Sequence, residues 1–290
     1  MPGPTVNFAA ATDFIWTTAR LLDRARFAYH FLDAPRGPVV AALRAYQNPD
    51  GGFGSGLEPD IRARSSQTIP TWTALVLLDE LDAFDDPLVR PALDFLQTVT
   101  TAQGGVPFAL ASVMDYPRAP WWNVPADPPA SVNPTAAIAA LLYKNHVEHP
   151  WLEPAAAFCW QHIESIESTN PYDARAILPF LEHVPQRDRA ERAFERLSKM
   201  ILDGGLVALD PAPREEAHYP LMYAPTPDTI ARRMFSGEVM DRHLDAFSTQ
   251  QEKDGGWPIN WLVWAPAVGL EWRGVVTVDA LLTLRADKRL

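Results

Sequence analysis

The 290-residue chain has little cysteine, little lysine and no long apolar run. Its single cysteine, Cys159, rules out an internal disulfide, which is typical of an intracellular protein. Acidic side chains outnumber basic ones by 36 to 25, so nucleic acid and anionic membrane surfaces are not expected partners. The N-terminus lacks a signal-peptide pattern, and no stretch approaches the roughly 18 apolar residues of a membrane span. We therefore expect a cytoplasmic protein without an integral membrane segment.

Several catalytic motifs are also missing. The sequence has no serine nucleophile elbow, no phosphate-binding glycine loop and no dinucleotide fingerprint. The glycines from Gly51 to Gly56 have a suggestive spacing, but they follow a helical pattern instead of joining a strand to a helix. Acyl transfer and nucleotide chemistry therefore have no support in the sequence.

What the chain does contain is an internal repeat, in which a helical pattern ends at two glycines followed by an apolar residue. The strongest copies are AALRAYQNPDGGF, from Ala41 to Phe53, and LDAFSTQQEKDGGW, from Leu244 to Trp257. Weaker copies begin at Ala92 and Ala193, and a copy from Ala157 has lost both glycines. Because glycine adopts the left-handed conformation that ends helices, each intact copy predicts a helix stop and a tight turn.

Two kinds of helical pattern alternate along the chain. Helices before the turns carry a charged stripe, as from Asp188 to Met200, whereas those after the turns are apolar, as from Gly274 to Leu284. An arrangement with apolar helices inside and amphipathic helices outside accounts for this difference in polarity. The repeat spacing gives six helical hairpins of about 48 residues. The sequence therefore predicts an all-α fold, an α/α toroid in which residues 1–290 form one domain.

The three longest irregular segments each follow a turn and lead into an apolar helix. They run from Phe53 to Ser66, from Gly104 to Val132 and from Gly204 to Pro227. We expect them to gather over one end of the toroid, because loops on a rigid scaffold are where functional sites are usually built.

The repeats resemble a known family. QNPDGGF, from Gln47 to Phe53, and QQEKDGGW, from Gln250 to Trp257, resemble the Gln-Trp repeats of squalene-hopene cyclases, oxidosqualene cyclases and protein prenyltransferase β subunits. The stretch from Asp50 to Asp60 also resembles bacterial prenyltransferase or squalene oxidase repeat proteins. The resemblance implies an α/α toroid with a central apolar cavity. Such a label describes a fold, so the function has to be argued from the site.

The catalytic motifs of that family are absent. No Asp-x-Asp-Asp tetrad exists, and the nearest sequence at the expected start of an apolar helix, Thr277 to Asp279, has a single acid. Zinc-binding members have an Asp two residues before the Cys, where this chain has Ala157 before Cys159. Cys159 and His162 would need two further ligands to hold zinc. We therefore expect an atypical member with no metal and no other cofactor.

Glu58 and Asp60 are the first candidate acids. Pro59 separates them, and in an extended stretch both would point to the same side. Such a pair can raise the pKa of one carboxyl group for general-acid work, or it can brace the loop through salt bridges with Arg62 and Arg64.

Asp279 and His218 are the other candidates for catalysis. Asp279 lies in an otherwise apolar helix, so its carboxyl group must find a partner or be neutral, unless it caps the first turn. His218 stands within five residues of two glutamates and two tyrosines, which suits proton transfer near neutral pH.

Candidate substrate-binding residues are mainly aromatic, because π faces stabilise carbocations. Four tryptophans lie in irregular segments, where core packing explains them less well: Trp121, Trp122, Trp261 and Trp264. Tyr219 joins them because it follows His218. Polar residues at matching helix starts can cap these helices or line the mouth of the cavity: Ser66, Gln67, Asn133, Asp173 and Thr277.

The sequence leaves three functions open. The leading hypothesis is a toroid that takes an isoprenoid or similarly apolar ligand and acts as an atypical cyclase or isomerase, with Asp60, Glu58 or Asp279 as the acid. The second is a glycoside hydrolase or lyase, in which tryptophan stacks on sugar rings and two carboxyl groups share the acid and base roles. The third is a non-catalytic binding protein that has kept the fold.

Overall fold

The computed structural model describes residues 6–290, where α-helices and short 3₁₀ helices account for the regular structure apart from isolated β-bridges. The α-helices are α1 (Phe8–Thr18), α2 (Leu21–Phe31), α3 (Gly37–Arg44), α4 (Thr68–Glu80), α5 (Val89–Thr98), α6 (Val132–Lys144), α7 (Leu152–Ser165), α8 (Pro171–His183), α9 (Arg187–Asp203), α10 (Pro220–Tyr223), α11 (Gly237–Ser248) and α12 (Pro266–Ala286). The all-α prediction is confirmed. None of the helices in this range is long and apolar enough to cross a bilayer.

In chain order these helices form six successive pairs, as the repeat spacing predicts. Each of the last five pairs contains one copy of the repeat between its two helices. The copy that begins at Ala193 leads into α10, which has only four residues. That pair is therefore the least complete of the six.

The chain divides into two compact units. We call residues 43–204 the central unit, and residues 6–42 together with 205–290 the terminal unit. The boundary falls within α3. The organisation of residues 1–290 as a single domain stays a prediction.

The central unit has two layers of helices. The helices α4, α6 and α8 pack side by side, and α5, α7 and α9 pack against α4, α6 and α8, respectively. In α6, buried residues run almost without interruption from Val132 to Leu142, which is typical of a fully enclosed helix. In α9, the buried residues recur every three or four positions, and most of the remaining residues are charged. The predicted division into apolar inner and amphipathic outer helices is therefore present in this unit.

In the terminal unit, α12 packs against both α1 and α2. Gly274 of α12 allows this close approach, because a Cβ added there would lie 2.9 Å from the Cβ of Ala19. The core around these helices is aromatic and aliphatic, with Phe14, Phe27 and Trp257 among its buried members.

The glutamine of the first strong repeat ties its own turn to the next outer helix. Gln47 Nε2 donates to the Gly51 carbonyl at 2.9 Å and to the Leu88 carbonyl, just before α5, at 3.0 Å. Gly51 has φ +88°, and a Cβ there would lie 2.2 Å from the Pro91 carbonyl oxygen. Only glycine fits such a turn, because an L side chain is strained at positive φ and would clash with the neighbouring helix.

A second bond anchors the residue after the glycines to the next inner helix. In three repeats its backbone N–H donates to a threonine Oγ1 on that helix. The pairs are Phe53 with Thr71 at 3.0 Å, Val106 with Thr135 at 3.0 Å and Trp257 with Thr277 at 2.9 Å. All three threonines are fully buried. Each bond satisfies an amide that would otherwise be buried without a partner.

Candidate functional site

Two long loops of the central unit are joined by backbone hydrogen bonds. The Asp60 carbonyl accepts from Ala119 N at 2.8 Å, and Arg62 N donates to the Pro117 carbonyl at 2.9 Å. The segment with the candidate acids therefore lies directly against the segment that leads into Trp121 and Trp122.

The acids themselves lie on a turn. Ile61 N donates to the Glu58 carbonyl at 3.2 Å, which closes a β-turn with Pro59 at its second position. The expectation of an extended stretch is wrong, because the proline ring fixes a φ that suits a turn. Alternation therefore does not place both carboxyl groups on one side. Glu58 and Asp60 are nevertheless buried, with 8% and 5% of their surfaces exposed.

Polar residues at the start of α4 hold the second loop instead of capping the helix. Gln67 is the N-cap residue, but its side chain makes no capping bond. Its Oε1 accepts from Leu110 N at 2.8 Å and its Nε2 donates to Ser112 Oγ at 2.9 Å. Thr68 Oγ1 donates to the Phe108 carbonyl at 2.5 Å. The capping prediction for Gln67 is therefore wrong, and its side chain organises the loop.

Trp121 and Trp122 differ in their surroundings. Both belong to the short 3₁₀ helix Pro120–Trp122. Trp122 is buried and stacks on Phe108, with ring centroids 4.8 Å apart, whereas Trp121 is 44% exposed. The Trp122–Phe108 pair therefore packs two parts of the second long loop against each other. Sequence reasoning missed Phe108, although an aromatic residue shortly after a Gly-Gly turn was a usable signal.

Asn133 lies in the first turn of α6, where Ser131 is the N-cap residue. Its backbone angles, φ −97° and ψ 113°, are nevertheless non-helical. Its side chain is buried and its Oδ1 accepts from no atom of residues 6–290, so it makes no capping bond. Its predicted role in lining the mouth of a cavity stays a prediction.

The remaining capping predictions also need correction. Asp173 lies inside α8, whose N-cap is Asn170, and Asn170 Nδ2 donates to the Asp173 carboxylate at 2.7 Å. Thr277 lies inside α12, because this helix begins at Pro266 instead of near Gly274. Proline is favourable in a first turn, so the helix starts earlier than its apolar stretch suggests.

Asp279 consequently lies in the interior of α12. Its Oδ1 is 2.7 Å from Nη2 of Arg26 on α2, and its side chain is about half exposed while that of Arg26 is buried. Arg26 is therefore the partner that the carboxyl group of Asp279 needs in an otherwise apolar helix. A guanidinium at this distance favours the charged form of the carboxylate. Sequence reasoning missed Arg26. Asp23 and Arg26 lie three residues apart and share the buried face of α2 with Leu22 and Phe27, which was the available signal.

His218 and Tyr219 lie in a loop of the terminal unit. The ring of His218 makes an edge contact with that of Tyr223, with centroids 6.4 Å apart. The Tyr219 hydroxyl accepts from Arg214 N at 2.8 Å and donates to the Ala212 carbonyl at 2.9 Å. Tyr219 therefore stabilises its own loop.

His243 on α11 is a second histidine at this loop, which sequence reasoning missed. Its Nε2 lies 3.1 Å from the Leu209 carbonyl oxygen, and because a carbonyl only accepts, this nitrogen carries the hydrogen. Desolvation lowers the pKa of His243, although the bond to Leu209 favours the protonated ring. The available signal was helical spacing, because His243 lies on the same buried face of α11 as Met240 and Leu244.

Trp261 and Trp264 lie close to the same loop. Asn260 Nδ2 donates to the Ala217 carbonyl at 2.9 Å, which joins the tryptophan segment to the segment of His218. Trp261 packs edge-on against Trp272, with centroids 5.3 Å apart. Trp264 is half-buried, and its Nε1 donates to no atom within the described range of the chain.

The predicted site residues therefore form two groups. Glu58, Asp60, Trp121, Trp122 and Asn133 belong to the central unit, and Asp279, His218, Tyr219, Trp261 and Trp264 belong to the terminal unit. That both groups share one opening stays a prediction.

Cys159 lies on the buried face of α7. Burial raises the pKa of its thiol, so the thiolate that would bind a metal is disfavoured. Across residues 6–290, no three His, Cys, Asp or Glu side chains lie together as a metal-binding group.

A groove of about 650 Å³ lies elsewhere in the central unit, lined by residues that include Tyr143, Trp160 and Arg189. The Arg189 guanidinium lies 4.1 Å from the centroid of the Trp160 ring and pairs with Glu164 at 2.7 Å. No predicted site residue lines this groove.

No protein-family model matches the sequence, and no curated protein matches it significantly. A solved structure of a protein from Actinoplanes is similar, with a TM-score of 0.58 and 17% identity over 95% of this chain and 98% of that chain. The type II terpene cyclase MstE from Scytonema gives 0.53 and 15% over 97% and 88% of the chains. An MstE variant in complex with its substrate, geranylgeranyl dihydroxybenzoate, gives 0.53 and 14% over the same shares.

Identities this low show the fold alone. The chain has the terpene cyclase-like, all-α fold of the α/α toroid class.

Proposed function

We propose that the chain binds an isoprenoid or a similarly apolar ligand and acts on it as an atypical, acid-catalysed cyclase or isomerase. The structures of MstE contain geranylgeranyl dihydroxybenzoate as substrate and merosterolic acid A as product, and their fold is similar to that of this chain. The observation that carries the proposal is in the central unit. There, two buried acids lie on a turn that is hydrogen-bonded to the segment leading into Trp122.

Protonation of an alkene needs a neutral carboxylic acid and an aromatic surface for the cation that forms. Burial disfavours the charged form of a carboxyl group, and a second carboxylate nearby disfavours it further. We assign the proton donor to Asp60, because its own carbonyl is bonded to the tryptophan-bearing segment. Asp60 gives its proton to one alkene carbon, and the resulting cation later loses a proton to water. Glu58, two residues away on the same turn and also buried, is the second candidate acid.

Asp279 is less suited to donate a proton. Its partner Arg26 stabilises the charged carboxylate, and its side chain is half exposed to water. We propose that Asp279 helps to bind or orient a ligand instead. His218 stays a candidate for proton transfer in the terminal unit.

The test is incubation of the whole chain with squalene, with prenyl alcohols and with prenyl diphosphates of several lengths, followed by product analysis. The wild type should form a cyclised or isomerised product. Asp60→Asn should lower the rate by about 100-fold or more, which is the usual contribution of general-acid catalysis. Asp127→Asn is the matched control, because Asp127 is exposed in the second long loop, and its rate should equal that of the wild type.

The outcomes separate the three functions. Binding of an isoprenoid without any product, unaffected by Asp60→Asn, would support a non-catalytic binding protein. Cleavage of oligosaccharides with no response to isoprenoids would support the glycoside hydrolase or lyase. If no isoprenoid binds or reacts, the proposed function is wrong.

A further inference from the structure

Two buried polar side chains of the central unit each have a hydrogen-bonding atom without a partner. Trp122 is 3% exposed and its Nε1 donates to no atom of residues 6–290. Asn133 is 9% exposed and its Oδ1 accepts from no atom of the same residues. Because buried polar atoms are nearly always hydrogen-bonded, both atoms require an explanation.

One short loop segment, from Val106 to Phe108, contacts both the start of α6 and the ring of Trp122. Val106 N donates to Thr135 Oγ1 at 3.0 Å, which places the start of this segment beside the first turn of α6, where Asn133 lies. Two residues later, the ring of Phe108 stacks on that of Trp122 at 4.8 Å. Trp122 therefore lies at one end of this three-residue stretch, and the first turn of α6, which contains Asn133, lies at the other.

The candidate acid belongs to the same cluster, and the cluster is close to the surface. The Asp60 carbonyl accepts from Ala119 N, three residues before Trp122. Trp121 is 44% exposed and Phe108 is half-buried, so water or a ligand reaches the rim of the cluster.

We propose that the apolar ligand carries a hydroxyl group, which accepts a hydrogen bond from Trp122 Nε1 and donates one to Asn133 Oδ1. This inference rests on the proposed function, and it names the substrate class as an isoprenoid alcohol. A hydroxyl group offers both an acceptor and a donor at one oxygen. A hydrocarbon offers neither and an ether only accepts. A diphosphate would bring negative charge towards the Asn133 oxygen.

The test measures equilibrium binding of three probes with the same carbon skeleton: geranylgeraniol, its methyl ether and the hydrocarbon without the oxygen. The alcohol should bind about 10-fold more tightly than the hydrocarbon, since each hydrogen bond contributes roughly three-fold. The ether should fall between them, because it keeps only the bond from Trp122.

Variants assign the two bonds separately. Trp122→Phe removes the N–H and keeps a stacking ring, so it should weaken the alcohol and the ether about three-fold and leave the hydrocarbon unchanged. Asn133→Leu should weaken only the alcohol. The matched control is Trp160→Phe, because Trp160 is also buried with an unpartnered Nε1 but lines the separate groove on α7. It should leave the affinity for all three probes unchanged.

Equal affinities for the three probes would overturn this inference and leave the proposed function standing. An equal loss for all probes in Trp122→Phe would also overturn it, since that variant would then act only through packing. Failure of every probe to bind would overturn both. If Trp122→Phe does not fold, the probe series on the wild type and on Asn133→Leu still decides the matter.

Discussion

The side chain of Gln251 exchanges two hydrogen bonds with the backbone of Asn7. Asn7 N donates to Oε1 at 2.8 Å, and Nε2 donates to the Asn7 carbonyl at 2.9 Å. Asn7 is the N-cap residue of α1, so the last repeat turn is tied to the start of the first helix. Gln47 makes the corresponding bond to Leu88, before α5.

Removing this connection should destabilise the terminal unit. Gln251→Ala loses both bonds to Asn7 and the bond from Nε2 to the Gly255 carbonyl at 2.9 Å. We expect the free energy of unfolding to fall by about 2 kcal/mol, measured by urea denaturation. Gln250→Ala is the control, because the neighbouring side chain makes none of these bonds. Equal stability of the two variants would show that the Gln251 bonds contribute nothing.

The hydrogen bonds from the repeat turns to the buried threonines should also contribute measurably to stability. Thr277→Val leaves the N–H of Trp257 without its acceptor in a fully buried position. A buried amide without a partner costs about 1–3 kcal/mol, so the unfolding midpoint in urea should drop accordingly. Thr277→Ser retains the hydroxyl group and should recover most of the loss. If serine and valine destabilise equally, packing of the methyl group explains the effect instead.

The turn glycines should tolerate no side chain. Gly51→Ala would place a Cβ 2.2 Å from the Pro91 carbonyl oxygen at a φ of +88°. We expect a loss of about 3 kcal/mol or more in the free energy of unfolding. At Gly37, a Cβ would have no atom within 4 Å, so Gly37→Ala should be close to neutral in the same measurement. A mild effect of Gly51→Ala would mean that the turn can move away from α5.

Stability should depend on pH through His243. Desolvation lowers the pKa of this histidine below its ordinary value of 6.5 in the folded chain. Below that value the unfolded chain binds a proton more readily, so the free energy of unfolding should fall as the pH drops from about 6.5. Above it both states are neutral and the contribution is flat. His243→Gln keeps a donor for the Leu209 carbonyl and should show a weaker fall between pH 7.5 and pH 5.5, measured by denaturation at both values. The same pH dependence in both proteins would contradict this assignment.

Much of the fold could be predicted from the sequence because its signals are local. Two glycines after a charged helix mark a helix end, so the repeats predicted the six helical pairs and the two layers of the central unit. The start of α12 at Pro266 was missed, since Gly269 and the charged residues Glu271 and Arg273 interrupt the apolar pattern before Gly274.

The site was less predictable because its contacts join distant residues. Burial of Glu58 and Asp60 is set by loops that pack on them, and the partner of Asp279 lies on α2. The bond from Trp257 N to Thr277 spans 20 residues. No local pattern encodes such pairs. The candidate residues could therefore be chosen by type and position, but their surroundings could not.

The threonine anchor has a consequence for how such proteins diversify. Its partners are separated by 18 residues in one repeat, 29 in another and 20 in a third, yet the bond is the same. Loop length between two fixed points costs little, because closure entropy grows only slowly with length. Each of these repeats thus combines a fixed hydrogen bond with a loop of variable length. Replacing this loop with that of a relative should alter ligand preference while the helices keep their register.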